Sequence, residues 1–159
     1  MNLFEKELLT SIGKKLIRRK ETIAVAESVT SGLLQFAFSS VPDAATFYQG
    51  GMTAYNIGQK YKYLHVEPIH AESVNCVSVK VAEQMANEVC KLYCSDWGVA
   101  ITGYATPVPE SDNKTFCFYA IAYKNKVKGK GKIASLKEDP SLVQVDYATI
   151  VLKKFLSLL

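Results

Sequence analysis

Histidine is scarce in this chain, and its scarcity narrows the chemistry on offer. Of 159 residues only His65 and His70 are histidines, and neither sits in a recognisable triad pattern. Cysteine is present at Cys76, Cys90, Cys94 and Cys117 but without framework spacing. Cys90 and Cys94 fall on one expected helix, where a disulfide is disfavoured, and no histidine stands nearby in sequence to complete a zinc set. Buried free thiols in a reducing cytoplasm, with no bound metal or cofactor, are therefore expected. No apolar run approaches the length of a membrane span, and Glu5, Lys6 and Glu7 break the pattern of a signal peptide. A cytoplasmic protein with no membrane partner is the expectation. Net charge is only +4, without the dense basic face of a nucleic-acid binder, so nucleic acid is excluded as the main partner. Repeats, linkers and low-complexity tracts are missing too.

What is present is an ordinary globular composition, 48% hydrophobic and 21% charged. The length fits a single domain over 1–159 with a sizeable core. An amphipathic helix is predicted over 3–19, with Phe4, Leu8, Leu9, Ile12 and Leu16 on one stripe. Thr22 to Ala26 reads as a buried strand, followed by a polar turn and a helix from Leu33 that Val41-Pro42-Asp43 stops. A second strand covers Phe47 to Tyr55, interrupted by Gly50-Gly51. Residues 56–63 read as one or two helical turns, and Pro68 as a break. Ser78 caps a helix running to about Cys94, with Ala82, Met85, Val89 and Tyr93 inward. Strands follow over Trp97 to Thr102, Thr115 to Tyr123 and 126–134, the last two joined by a turn at Lys124-Asn125. A final helix after Pro140 carries Val145, Thr149, Leu152 and Phe155 or Leu156 on one side. Alternating helices and strands with a terminal hairpin predict an α/β fold on a mixed sheet of about five strands.

Lys124, Lys126, Lys128, Lys130 and Lys132 alternate strictly, so a strand would point them all to one face. Such a row serves as a solvated face or a guarded edge; an anion-binding stripe is the alternative.

The residues Ala26-Glu27-Ser28-Val29-Thr30-Ser31-Gly32 gather hydroxyls and backbone amides where a strand ends and a helix begins. Helix N-termini expose unpaired N–H groups that bind anions and stabilise oxyanions. A serine there is either a nucleophile or a simple N-cap. As a nucleophile it needs a base. With no histidine in pattern, a desolvated lysine can serve, and a tyrosine can relay the proton. Tyr55 and Lys60 follow the second strand, whose end could lie beside that of the first.

These motifs resemble the CinA family's C-terminal domain. Residues Ala26 to Gly32 resemble its Ala-Glu-Ser-Cys-Thr-Gly-Gly signature. Gly50-Gly51, Tyr55 and Lys60 match its Gly-Gly-x-x-x-Tyr-Ser and following lysine in order and spacing. Val77-Ser78, Ala82 to Ala86 and Trp97 to Gly103 resemble three further motifs. The resemblance implies a three-layer α/β/α sandwich around a mixed sheet, and hydrolysis of the amide of nicotinamide mononucleotide without metal. It assigns Ser28 as nucleophile with Tyr55 and Lys60 handling protons. It places Glu27, Thr30, Ser31, Gly32, Gly50, Gly51, Thr102 and Gly103 around a small nucleotide substrate. A homo-oligomer is also implied. The family occurs fused to a larger N-terminal domain as well, whose phosphohydrolase activity is not expected here.

The sequence departs from the family in the parts expected to hold substrate. Val29 replaces a cysteine, and Ser31 a glycine, which matters if that position needs φ > 0. Tyr104-Ala105-Thr106-Pro107 replaces Ile-Ala-Gly-Pro, and Phe116 to Tyr119 replaces Val-Gly-Thr-Val. The arginines before the last helix are missing; Lys137 lies near one of their places, but a lysine is not a bidentate guanidinium. Retention of Ser28, Tyr55 and Lys60 points to an amidohydrolase. Loss of the glycines and arginines points to the rival, a weak or inactive homologue that binds a ligand or partner.

Overall fold

The computed structural model describes residues 3–159; Met1 and Asn2 of the N-terminal reading lie outside them. In chain order the elements are α1 Lys6–Arg19, β1 Ile23–Glu27, α2 Leu33–Ser39, β2 Tyr48–Thr53, α3 Ile57–Leu64, α4 Pro68–Ser73, α5 Val79–Leu92, β3 Trp97–Tyr104, β4 Phe116–Tyr123, β5 Lys126–Ala134 and α6 Pro140–Leu158. The sheet order is β2-β1-β3-β4-β5. The β1 strand pairs in parallel with β2 and β3, while β3, β4 and β5 are antiparallel neighbours. The sheet is thus mixed, as expected.

Two cores line its faces. On one, Ile23, Val25, Val99, Ile101 and Ile121 meet Ile12 and Leu16 of α1, Phe38 of α2, and Val151 and Phe155 of α6. On the other, Ala24, Ala26, Ala100, Ala120 and Ala122 meet Leu64 of α3, Ala71 of α4, and Val81, Met85 and Val89 of α5. Helices on both faces make the three-layer sandwich. The period-two alternation of β1, β3 and β4 sorts bulky side chains to one face and alanines to the other. The alanine face lets α5 approach closely. At Gly98 a Cβ would lie 2.2 Å from the Ala86 carbonyl oxygen, so even alanine does not fit there.

Several expectations are corrected. Pro68 opens α4 at its first position, where a missing N–H is harmless, instead of marking a break. The buried stripe of α6 is Val143, Tyr147, Ala148, Val151, Leu152 and Phe155. The expected stripe is right at Leu152 and Phe155 but wrong at Val145 and Thr149, because α6 is apolar around much of its girth. Of the four free thiols only Cys90 and Cys117 are buried; Cys76 is half-buried and Cys94 exposed. Lys124 sits in the β4–β5 turn with Asn125, both at positive φ, so the strand's lysines are Lys126, Lys128, Lys130 and Lys132. These four are exposed on the edge strand. Lys130 pairs with Glu83 of α5, and the Lys132 ammonium lies 3.9 Å from the Phe116 ring centroid.

Candidate active site

The chain leaves the C-terminal end of β1 along one face of the sheet through α2. It leaves the end of neighbouring β2 along the opposite face through α3, α4 and α5, before entering β3 on the other side of β1. Connections that part in this way open a crevice beyond the carboxyl ends of the parallel strands. Ser28, the first residue beyond β1, stands there. Its amide donates to the Ile101 carbonyl of β3, and the Ala54 amide donates to the Glu27 carbonyl, so the ladder pins the residue from both sides. A cavity of about 410 Å³ opens in front of it, lined by Ser28, Val29, Tyr55, Lys60, residues 75–77, residues 102–106 at and just past the end of β3, and Pro140 and Gln144 of α6.

Lys60 comes from α3, whose first turn is capped by the Asn56 side chain accepting from the Gln59 amide. Only 1% of Lys60 is exposed. Its Nζ donates to Ser28 Oγ at 2.9 Å and to the Ala54 carbonyl at 2.7 Å. Burial pushes the Lys60 ammonium down to about 8, against a smaller opposing pull from Cys76. Burial in turn pushes the Cys76 thiol up. A lysine with this environment exchanges its proton near neutrality, which a solvated lysine does not.

Glu27 is fully buried and does not line the cavity. Its carboxylate accepts from Thr30 Oγ1 at 2.5 Å and from the amides of Gly32, Leu34 and Gln35 at 3.2, 3.0 and 2.8 Å. It closes the N-terminus of α2 with the negative charge that position favours. Ser31 at φ +52° and Gly32 at φ +108° turn the chain back so that those amides reach it. The α2 amides expected to hold an oxyanion are therefore engaged. Among the described residues, the Val29 amide beside Ser28 donates to no protein acceptor.

The residues expected around the substrate divide accordingly. Thr102 and Gly103 line the cavity. The Thr102 hydroxyl is committed to the Cys76 carbonyl at 2.8 Å, and a Cβ at Gly103 would lie 2.4 Å from that of Cys117. Glu27, Thr30, Ser31 and Gly32 build the turn and the cap and do not line the cavity. Gly50 and Gly51 do not line it either; they serve packing. A Cβ at Gly50 would lie 2.9 Å from the Tyr93 ring, one at Gly51 2.5 Å from Val25 Cγ2, and the Tyr93 hydroxyl donates to the Gly51 carbonyl. Tyr55 stands at the cavity rim, 69% exposed, with no hydrogen bond to Ser28 or Lys60.

Sequence reasoning missed Asn75, Cys76 and Gln144 as cavity residues, whereas Tyr104 lies in the segment already marked as expected to hold substrate. Asn75 and Cys76 adopt consecutive left-handed conformations between α4 and α5; only the asparagine hints at this in sequence. Asn75 Nδ2 donates to the Tyr104 hydroxyl at 3.1 Å. Gln144 Nε2 reaches from α6 to the Val29 carbonyl at 2.8 Å, a pairing that no local pattern signals. His65 and His70 bond to Glu88 and Ser78 and do not line the cavity. Among the described residues no cluster of three or more His, Cys, Asp or Glu could hold a metal ion, and no helix is long and apolar enough to cross a membrane.

Comparison with known proteins agrees with this architecture. A CinA-like protein of Rippkaea orientalis is 36% identical over 132 residues, covering 82% of this chain and 31% of that protein. One of Acaryochloris marina is 39% identical over 110 residues, covering 69% and 26%. The chain thus spans less than a third of the length of these curated relatives. A solved CinA superfamily protein from Escherichia coli superposes with a TM-score of 0.90 at 26% identity, covering 97% of this chain and 90% of that one. The competence/damage-inducible protein CihA of Agrobacterium tumefaciens shares the fold with a TM-score of 0.91 at 21% identity, covering 99% of both chains. The CinA C-terminal domain profile matches residues 5–159, from the start of the first helix through the switch-point serine to the last residue, and the chain belongs to that family.

Proposed function

We propose that this chain is a serine amidohydrolase acting on a carboxamide of the nicotinamide-nucleotide type, releasing ammonia and the corresponding acid. One observation carries the reading: a buried lysine whose Nζ lies 2.9 Å from the hydroxyl of a serine facing an open cavity. Neutral Lys60 accepts the Ser28 proton as Oγ attacks the carboxamide carbon. The Val29 amide is the donor offered to the developing oxyanion. Lys60 returns the proton to the leaving nitrogen, ammonia departs, and water then hydrolyses the acyl-serine with Lys60 as base. No step requires a metal. Tyr55, unbonded at the open rim, faces the ligand in this scheme, and a proton role would require it to swing inward. The same reading takes the chain as one domain at work in the cytoplasm, and a homo-oligomer.

The test is ammonia release from nicotinamide mononucleotide by purified protein. Ser28→Ala should lower it by ~1,000-fold or more while the circular dichroism spectrum stays native. Turnover unchanged in that variant would sink the serine mechanism. The second reading, a homologue that binds a ligand without turnover, is favoured by the engagement of the α2 amides with Glu27. Saturable binding with no ammonia from the wild type would establish it.

A further inference from the structure

We infer that Gln144 reads the carboxamide: its Oε1 accepts a hydrogen bond from the NH2 group that is to leave, and so separates amides from esters and acids. The inference rests on the proposed amidase reading and adds to it the group that recognises the leaving nitrogen.

Gln144 is delivered by a rigid element. It stands one turn into α6, on the same helix face as Pro140, and both line the cavity. Its neighbours Val143, Tyr147 and Ala148 are fully buried in the core. The Tyr147 hydroxyl donates to the Tyr104 carbonyl at 3.0 Å, which ties the same helix to the end of β3.

The partner of the side chain fixes its orientation. Nε2 donates to the Val29 carbonyl at 2.8 Å. A carbonyl only accepts, so the amino end faces it and Oε1 is the atom left over. No described residue donates to that oxygen. Nor is it sealed in the interior: among the described residues, the one buried side-chain polar atom without a partner is Asn87 Oδ1. An accepting oxygen, tied to the residue next to the nucleophile, thus stands open at the reacting end.

The other groups there are committed. Lys60 donates to Ser28 and Ala54. The Thr102 hydroxyl is held by the Cys76 carbonyl. Asn75 also has a free Oδ1, but its side chain is bound to Tyr104 and has no link to the Ser28–Val29 segment.

A carboxamide carries an oxygen and an NH2 on the reacting carbon. With the oxygen on the Val29 amide, Oε1 takes one N–H. When the carbon becomes tetrahedral, this bond holds the nitrogen by that hydrogen and leaves its lone pair for the Lys60 proton. An ester has no N–H to offer, and a carboxylate sets a negative oxygen against Oε1.

The probes are nicotinamide mononucleotide and the methyl ester of nicotinic acid mononucleotide, and the readout is kcat/KM for each. Gln144→Met keeps side-chain length and helix propensity and removes both hydrogen bonds. It should cost the amide about tenfold more than the ester. Gln144→Glu retains an accepting oxygen and loses the donor to Val29. It should slow both substrates and keep their ratio within about threefold of the wild type. An equal loss for amide and ester in Gln144→Met would mean that Gln144 only holds Val29, which overturns the inference and leaves the amidase standing. If the wild type releases no ammonia, the amidase reading fails, and calorimetry with nicotinamide mononucleotide and nicotinic acid mononucleotide decides. A shift in relative affinity of about tenfold toward the acid in Gln144→Met upholds the reader. An unchanged ratio, or no binding of either compound, overturns it.

Discussion

Lys60 holds Ser28 and the Ala54 carbonyl at once, with Nζ 2.9 Å from one oxygen and 2.7 Å from the other. The contact joins the end of β1 to α3 across the switch point and places a titrating amine against the serine. In the ammonium form the lysine donates to Ser28. Only after losing a proton does it offer a lone pair to the hydroxyl.

Activity should therefore follow the neutral fraction of Lys60. With the ammonium brought down to about 8, turnover should rise about tenfold per pH unit below that value and level off above it. A pH profile of kcat/KM for any amide the protein turns over measures this. A flat profile from pH ~6 to ~9 would remove Lys60 as the base.

The same burial acts on stability with a definite sign. The folded value of about 8 lies below the ordinary 10.5, so between the two the unfolded chain binds the proton more tightly, and stability rises with pH. Lys60→Met removes this dependence. Urea unfolding should show the wild type gaining about 3 kcal/mol on the variant between pH ~7 and pH ~10.5. The variant should also lose turnover. A constant difference between the two proteins across that range would mean that Lys60 is solvated in solution.

Glu27→Gln tests whether that carboxylate is architecture. A glutamine places an NH2 against one of the amides that now donate to Oε1 or Oε2. Leaving a buried donor unpaired should lower stability by about 2 kcal/mol. The expected kinetic signature is a lower kcat through displacement of the adjacent Ser28, with KM little changed. A variant as stable as the wild type but with a sharply raised KM would return Glu27 to the substrate.

Gly98→Ala should destabilise the fold by about 3 kcal/mol, since its methyl would enter the Ala86 carbonyl and the Cys90 sulfur, 2.2 and 2.6 Å from the ideal Cβ. Chemical denaturation checks this, and a loss below about 0.5 kcal/mol would show that α5 gives way easily.

Much of the architecture was legible because it is written in local periodicity. The Ser78 cap, the alternation in β5 and the helix that starts at Pro140 each depend on a few neighbouring residues. The stripe of α6 was read correctly at Leu152 and Phe155 and misread at Val145 and Thr149, because an apolar residue on most faces leaves the period without contrast. Ser28 and Lys60 stood out through motif order. Their contact spans 32 residues of sequence, and only the topology of β1 and β2 brings it about. Gly50 and Gly51 drew attention as ligand-facing glycines, but the close approach they permit is to Tyr93, Val25 and Gln35, which no pattern in their neighbourhood records. Gln144 meets Val29 across 115 residues, a separation that hides the pairing from any window of sequence.

The alanine face of the sheet has a practical corollary for mapping this protein. Ala24, Ala26, Ala100, Ala120 and Ala122 are already truncated, so alanine scanning is blind to the surface that sets the height of α5. The α3 helix rests on α5 and carries Lys60. A scan that adds volume, one methyl or isopropyl group at a time, would instead act as a set of shims under that helix pair. The readout would be the spacing between amine and serine, felt as rate, from positions that never touch the cavity.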